Sequence, residues 1–152
     1  MDELQVPRRQ IPARIVLDDG RTLDGSFYAA LLGADGRPEG LGRRLNDPGE
    51  EFLPVAVGED RFLINKAGII AATVAGDEEV ADLVEEGAHE VPVRLTLAGG
   101  MGLIGRLPIL MPAERSRVLD YLNAGPRFLP LVGEDCVTLV QRRFVVSVRS
   151  AE

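Results

Sequence analysis

The stretch EFLPVAVGEDRFLINKAGII, residues 51–70, returns in outline as RFLPLVGEDCVTLVQRRFVV, residues 127–146. Both copies begin with Phe-Leu-Pro, then carry a short apolar run, a Gly-Glu-Asp turn, a second apolar run and a polar-basic pair. At a spacing of 76 the identities are Phe52, Leu53, Pro54 and Leu63, with the turns slipped by one position. Upstream, at a spacing of 80, Arg14, Leu17, Gly20 and Gly25 meet Arg94, Leu97, Gly100 and Gly105. Each half also holds a Leu-Asn pair, Leu45-Asn46 and Leu122-Asn123. The ordered series reads as an internal duplication. A period this long means two copies of one small module rather than a solenoid. The recurring Phe52, Leu53, Pro54 and Leu63 are assigned to the folding core.

The local signals are mostly those of strands and turns. Ile15 and Leu17 alternate with polar neighbours, and Asp19-Gly20 is a hairpin signal because glycine accepts positive φ. Strands are expected near 13–18 and 21–32, with Gly25 marking a bulge or bend. EFLPVAV and RFLINKAGIIAATV read as two further strands around the turn 58–60. Val93, Leu95 and Leu97 alternate, turn at Gly99-Gly100, and return through Leu103, Gly105 and Leu107. RFLPLVG and CVTLVQRRFVVSVRS read as the last strands. Helical signals are short. One turn is expected around Leu41–Leu45, and an acidic helix over 77–86 carries Val80, Leu83 and Val84 at helical spacing. A third helix lies in MPAERSRVLDYLNAG, with Pro112 at its start and Gly125 at its end.

These elements give a mainly β fold of two duplicated small barrel-like modules of about 60 residues each, since a small glycine-bent sheet best buries its core by curling. A short acidic helix lies between the modules and a short helix within the second. The divisions are an N-terminal arm over 1–12, a first β-module over 13–75, an acidic helical linker over 76–90 and a second β-module over 91–150.

Composition narrows the function classes. The 152 residues carry a formal charge of −7, which disfavours nonspecific nucleic-acid binding. Glycine (17) and proline (10) are frequent, in keeping with many short strands and turns. Cys136 is the one cysteine, so no intramolecular disulfide forms, and it reads as a small buried thiol. No segment approaches the ~20 apolar residues of a membrane span. The start MDELQVPRRQ lacks an apolar signal core, so a cytoplasmic protein without membrane contact is expected.

VLDDGRTLDGSF, residues 16–27, resembles the first motif of Sm-like proteins, in which an apolar strand meets Asp-Gly and a later glycine precedes another apolar position. FLINKAGII, residues 62–70, resembles their second motif. The resemblance implies an SH3-like small β-barrel in tandem and, for the family, RNA binding. The RNA-contacting Asp-x-x-x-Asn loop is replaced by LLGADGRPEG, and the Arg-Gly pair by Lys66-Ala67 and Arg142-Arg143. RRQIPAR slightly resembles the arginine element of cyclic-dinucleotide-binding PilZ domains, whose companion motif is absent.

No catalytic, metal-binding or cofactor-binding set emerges. His89 lacks partners at useful spacing and reads as a solvated linker residue. Asp18, Asp19 and Asp24 lack the alternation of a Ca²⁺ loop and read as turn and surface acids. The remaining candidates for binding are Asn65 and Lys66 with their counterparts Gln141, Arg142 and Arg143. Each pair interrupts an apolar run, marking a strand end or a shared surface, and reads as an exposed strand edge whose charge discourages edge pairing. The leading expectation is a non-enzymatic scaffold, adaptor or assembly module that pairs with itself or a protein partner. The alternative is an Sm-like protein binding RNA or a nucleotide through these polar-basic positions.

Overall fold

The computed structural model describes residues 8–33, 36–110 and 117–151. Strand accounts for 53% of the structure, so the fold is mainly β. The first half holds β1 (Arg8–Leu17), β2 (Thr22–Ala30), α1 (Leu41–Asn46), β3 (Phe52–Val57), β4 (Asp60–Asn65) and β5 (Ile69–Ala75). The second holds β6 (His89–Leu97), β7 (Gly102–Ile109), α2 (Arg117–Ala124), β8 (Phe128–Val132), β9 (Cys136–Gln141) and β10 (Val145–Ser150). All ten strands join in one open antiparallel sheet, ordered β10-β6-β7-β8-β9-β5-β1-β2-β3-β4. The first half is therefore ordered β5-β1-β2-β3-β4 and the second β10-β6-β7-β8-β9. The β9–β5 contact makes them continuous.

The strand registers of the two halves correspond. Ala13 faces Gly25, and Val93 faces Gly105. Ser26 faces Ala56, and Arg106 faces Val132. Phe52 faces Asn65, and Phe128 faces Gln141. Arg14 faces Thr73, and Arg94 faces Arg149. Even the bulge recurs: Val16–Leu17 faces Ala71 and Ile69, with Ile70 extra, while Thr96–Leu97 faces Ser147 and Val145, with Val146 extra. The 80-residue and 76-residue spacings thus belong to different strands. β1 and β2 lie 80 before β6 and β7, and β3 to β5 lie 76 before β8 to β10.

Two apolar cores flank the central strands, and each borrows from the other half. The first contains Ile15, Phe27, Leu41, Leu45 and Val55, together with Phe128, Val137 and Leu139 of the second half. The second contains Leu95, Leu97, Leu107 and Val140, together with Ile70 and Ala71 of β5. β5 accordingly supplies Ala72 and Val74 to one core and Ala71 to the other. That double burial accounts for its nearly unbroken apolar run, IIAATVA, because alternation in a strand reflects one wet face.

Several expectations from sequence need correction. β1 begins at Arg8, so residues 8–12 of the segment expected as an arm over 1–12 are strand, and the rest of that segment lies outside the described residues. The Gly25 bulge is absent: β1 and β2 stay in register through Ala13–Gly25. A Cβ at Gly25 would instead lie 2.6 Å from the carbonyl oxygen of Ala56, and one at Gly105 2.9 Å from that of Val132. The paired glycines let the next strand cross close. The acidic segment forms a 3-10 turn, Glu78–Leu83, rather than a longer helix, and it is not simply solvated. Val80 enters the first core, and Glu79 is buried against Arg9. His89 is exposed but belongs to β6, opposite Ile109. Cys136 is exposed at the first position of β9 instead of buried. RFLINKAGIIAATV is two strands, not one, broken by the turn Lys66–Gly68, and Arg142–Phe144 breaks the last run likewise. Pro112 lies outside the described residues.

Candidate interface at the junction and the outer edges

Among the described residues, the halves meet strand to strand at the β5–β9 junction. Its pairs run from Ala71 opposite Val140 to Ala75 opposite Cys136. Thr73 and Thr138 hydroxyls share a hydrogen bond of 3.0 Å across it. Polar side chains close the end at Ala71 and Val140. Gln141 is buried, and its Nε2 donates to the carbonyls of Lys66 (2.9 Å) and Ile69 (2.7 Å) while its Oε1 accepts from Arg127 Nε (2.9 Å). A one-turn helix leaves carbonyls without intrahelical partners, so the turn after β4 has acceptors to spare. Arg143 Nη1 donates to a further one, on Ala67, at 3.0 Å. At the same end, where Phe128 pairs with Gln141, Asn46 of the first half pairs with the backbone of Phe128 in both directions. Its Oδ1 accepts from the Phe128 N–H at 2.8 Å and its Nδ2 donates to the Phe128 carbonyl at 3.2 Å.

The five polar-basic candidates therefore separate. Gln141 and Arg143 tie the second half to the first. Lys66 and Arg142 work within their own halves, as helix caps. Lys66 Nζ donates to the carbonyl of Asp47, the C-cap of α1, and Arg142 Nη1 donates to the carbonyl of Leu122 in the last turn of α2 at 3.1 Å. A cation beside the carbonyl end of a helix complements its dipole. Asn65 is exposed and accepts from the Ala67 N–H at 2.9 Å. The reading of these positions as an exposed strand edge fails for Lys66 and Gln141, both buried. They lie at chain corners, where β4 and β9 end and the chain crosses to the far strand of its half.

Burial, and then the positive charge of Arg127, hold the Lys66 amine below its ordinary value of 10.5. A lysine with a depressed folded pKa binds its proton less tightly folded than unfolded. Its contribution to stability therefore rises as pH climbs from the folded value toward 10.5, where the unfolded chain keeps the proton longer. Lys66→Met removes that titration. Urea midpoints taken from neutral pH to 10.5 should show the wild type gaining on the variant; parallel curves would remove the linkage.

The outer edges of the sheet are β4 and β10. They and their neighbours carry the side chains that sequence reasoning placed wrongly. Phe52 is 56% exposed and Leu63 71%, although both were assigned to the core, whereas Leu53 is buried. Their counterparts in the second half, Phe128 and Leu139, are both 0% exposed. On the opposite edge, Val146 is 67% exposed, and its counterpart Ile70 only 7%. The junction buries in one half what the edges leave bare in the other. No sequence signal separates Phe52 from Phe128, because both stand in Phe-Leu-Pro before the same kind of strand.

Among the described residues, no three His, Cys, Asp or Glu side chains group together in a way that could hold a metal ion. Asp19 closes its turn on the Arg21 N–H, and Asp24 pairs with Arg14 at the surface. No described helix is long and apolar enough to cross a membrane. No family model, curated protein or solved structure matches the chain.

Proposed function

We propose that this chain is a non-enzymatic assembly module: two copies of one small barrel-like unit that act through protein–protein contacts at the strand edges β4 and β10. The observation that carries the reading is the pair of outer strands, β4 and β10, with Leu63 and Val146 bare on them and Phe52 bare beside β4 on β3, while the counterparts of all three are buried where a strand covers them. An open edge offers a row of backbone donors and acceptors for another strand, and the side chains beside it set specificity. The recurring registers support the duplicated unit. The polar-basic positions lend less to nucleic acid: Lys66 is buried on a carbonyl, Arg142 is engaged with α2, and the overall charge is −7.

A photoreactive amino acid placed at position 63 or 146 tests this in cells. Protein adducts are expected at both positions and not at position 21, an exposed turn residue. An adduct-free pattern at 63 and 146 would overturn the reading.

A further inference from the structure

We infer that the partner is a second copy of this chain, joined head to tail, with β4 of one copy lying antiparallel on β10 of the next as β9 lies on β5. The inference rests on the edge reading above and goes further by naming the occupant and the register.

The internal junction is the template. Since β4 and β5 precede β9 and β10 by 76 residues with the same pairings in each half, β4 is the counterpart of β9 and β10 that of β5. Carrying the junction across gives definite partners. Ala72 opposite Leu139 becomes Val148 opposite Leu63 of the neighbour, and Ala71 opposite Val140 becomes Ser147 opposite Ile64. Thr73 opposite Thr138 becomes Arg149 opposite Phe62.

Three of the large apolar side chains left bare, Phe52, Leu63 and Val146, are ones this contact covers. Within the chain, Phe128 and Leu139 cross the junction into the first core, and Ile70 crosses back into the second. Between chains, Phe52 and Leu63 would cross into the second core of the next copy, and Val146 into the first core of the other. These three are 56%, 71% and 67% exposed in the single chain. The polar closures also have counterparts. Asn123 is exposed on α2 where Asn46 stands on α1, and faces the Phe52 backbone of the neighbour as Asn46 faces Phe128. Asn65 stands where Gln141 does, toward the carbonyls of the turn Arg142–Phe144.

The two edges are unlike and mutually complementary, so the contact is heterologous. Each copy keeps one free end of each kind, and the series ends only by closing into a ring; otherwise it grows as a filament. A second copy is favoured over an unrelated strand because the register, the apolar insertions and the amide closures are all present once already, built from the same two surfaces.

The test uses the full chain and two variants at exposed positions, Leu63→Asp and Val146→Asp. Light scattering should give the wild type a mass above that of a dimer. Each variant alone should be a monomer with an unchanged circular dichroism spectrum. Leu63→Asp keeps a sound β10 edge and Val146→Asp a sound β4 edge, so an equimolar mixture should form a heterodimer and stop there. A Val146→Asp or Leu63→Asp protein that dimerises alone indicates like-with-like pairing and overturns the inference. So does a mixture that stays monomeric. A wild type that stays monomeric at its highest soluble concentration also overturns it. In that last case, photo-adducts to a different protein at positions 63 and 146 would leave the edge reading standing, while their absence would remove both.

Discussion

Phe128→Ala is expected to destabilise the chain by about 3–5 kcal/mol, the range for truncating a fully buried phenylalanine. Phe52→Ala, at the equivalent place in the first half, is expected to stay within about 0.5 kcal/mol when measured on the dilute single chain. The two residues share the motif Phe-Leu-Pro and the same place in their strands, opposite Asn65 and Gln141. They differ in what lies over them. Phe128 is 0% exposed in the core of the other half, with its backbone held by Asn46. Its loss leaves a cavity between the halves and weakens their junction, so both halves should feel it. Phe52 leaves no cavity because nothing encloses it. Urea denaturation at matched low concentration compares the two. Equal effects would show that burial at the junction is not what distinguishes the halves.

The second large effect is expected at Glu79. Its carboxylate takes Arg9 Nη1 at 2.9 Å and Nη2 at 2.7 Å, and it also accepts from the Leu41 N–H at 3.1 Å. That N–H opens α1, whose N-cap, Gly40, has no side chain to supply the acceptor. The acid thus serves a helix start 38 residues away and clamps β1 to the 3-10 turn that follows β5. Glu79→Ala leaves the partly buried Arg9 guanidinium with only the Glu39 carbonyl, at 2.6 Å, and leaves the Leu41 N–H without its acceptor. The expected cost is about 3 kcal/mol, the low end for breaking a buried pair, because the Arg9 side chain is still 27% exposed. The Arg14–Asp24 pair, with side chains 66% and 74% exposed, is the comparison, and Asp24→Ala should cost no more than about 1 kcal/mol. If the two variants lost stability equally, the burial of Glu79 would have no energetic consequence.

Much of the fold was legible because it is local. Asp19-Gly20 and Gly99-Gly100 announced hairpins through a backbone requirement, and both turns carry glycine at positive φ, 93° at Gly20 and 86° and 89° at Gly99 and Gly100. The change of spacing from 80 to 76 was visible before any strand was paired, and it falls between β2 and β3, where the halves carry unequal loops and helices. The corners at Lys66 and Arg142 were visible as polar interruptions of apolar runs. Their use was not, because a lysine that caps a helix and one that meets solvent look alike in sequence. The Glu79 site was hidden for a similar reason. An acid among acids reads as a wet face until Arg9, 70 residues away, is brought against it.

The sequence by itself determined most of the strands, the turns and the order in which they recur, since alternation and glycine at positive φ depend on residues a few positions apart. Only the tertiary structure decided which recurring strand is inside and which is at an edge. β5 and β10, like β4 and β9, have similar local patterns and the same registers with their own halves. The joining of β9 to β5 buries Phe128, Leu139 and Ile70 and leaves Phe52, Leu63 and Val146 bare. Burial is set by what lies across the strand, and that neighbour comes from the other half of the chain.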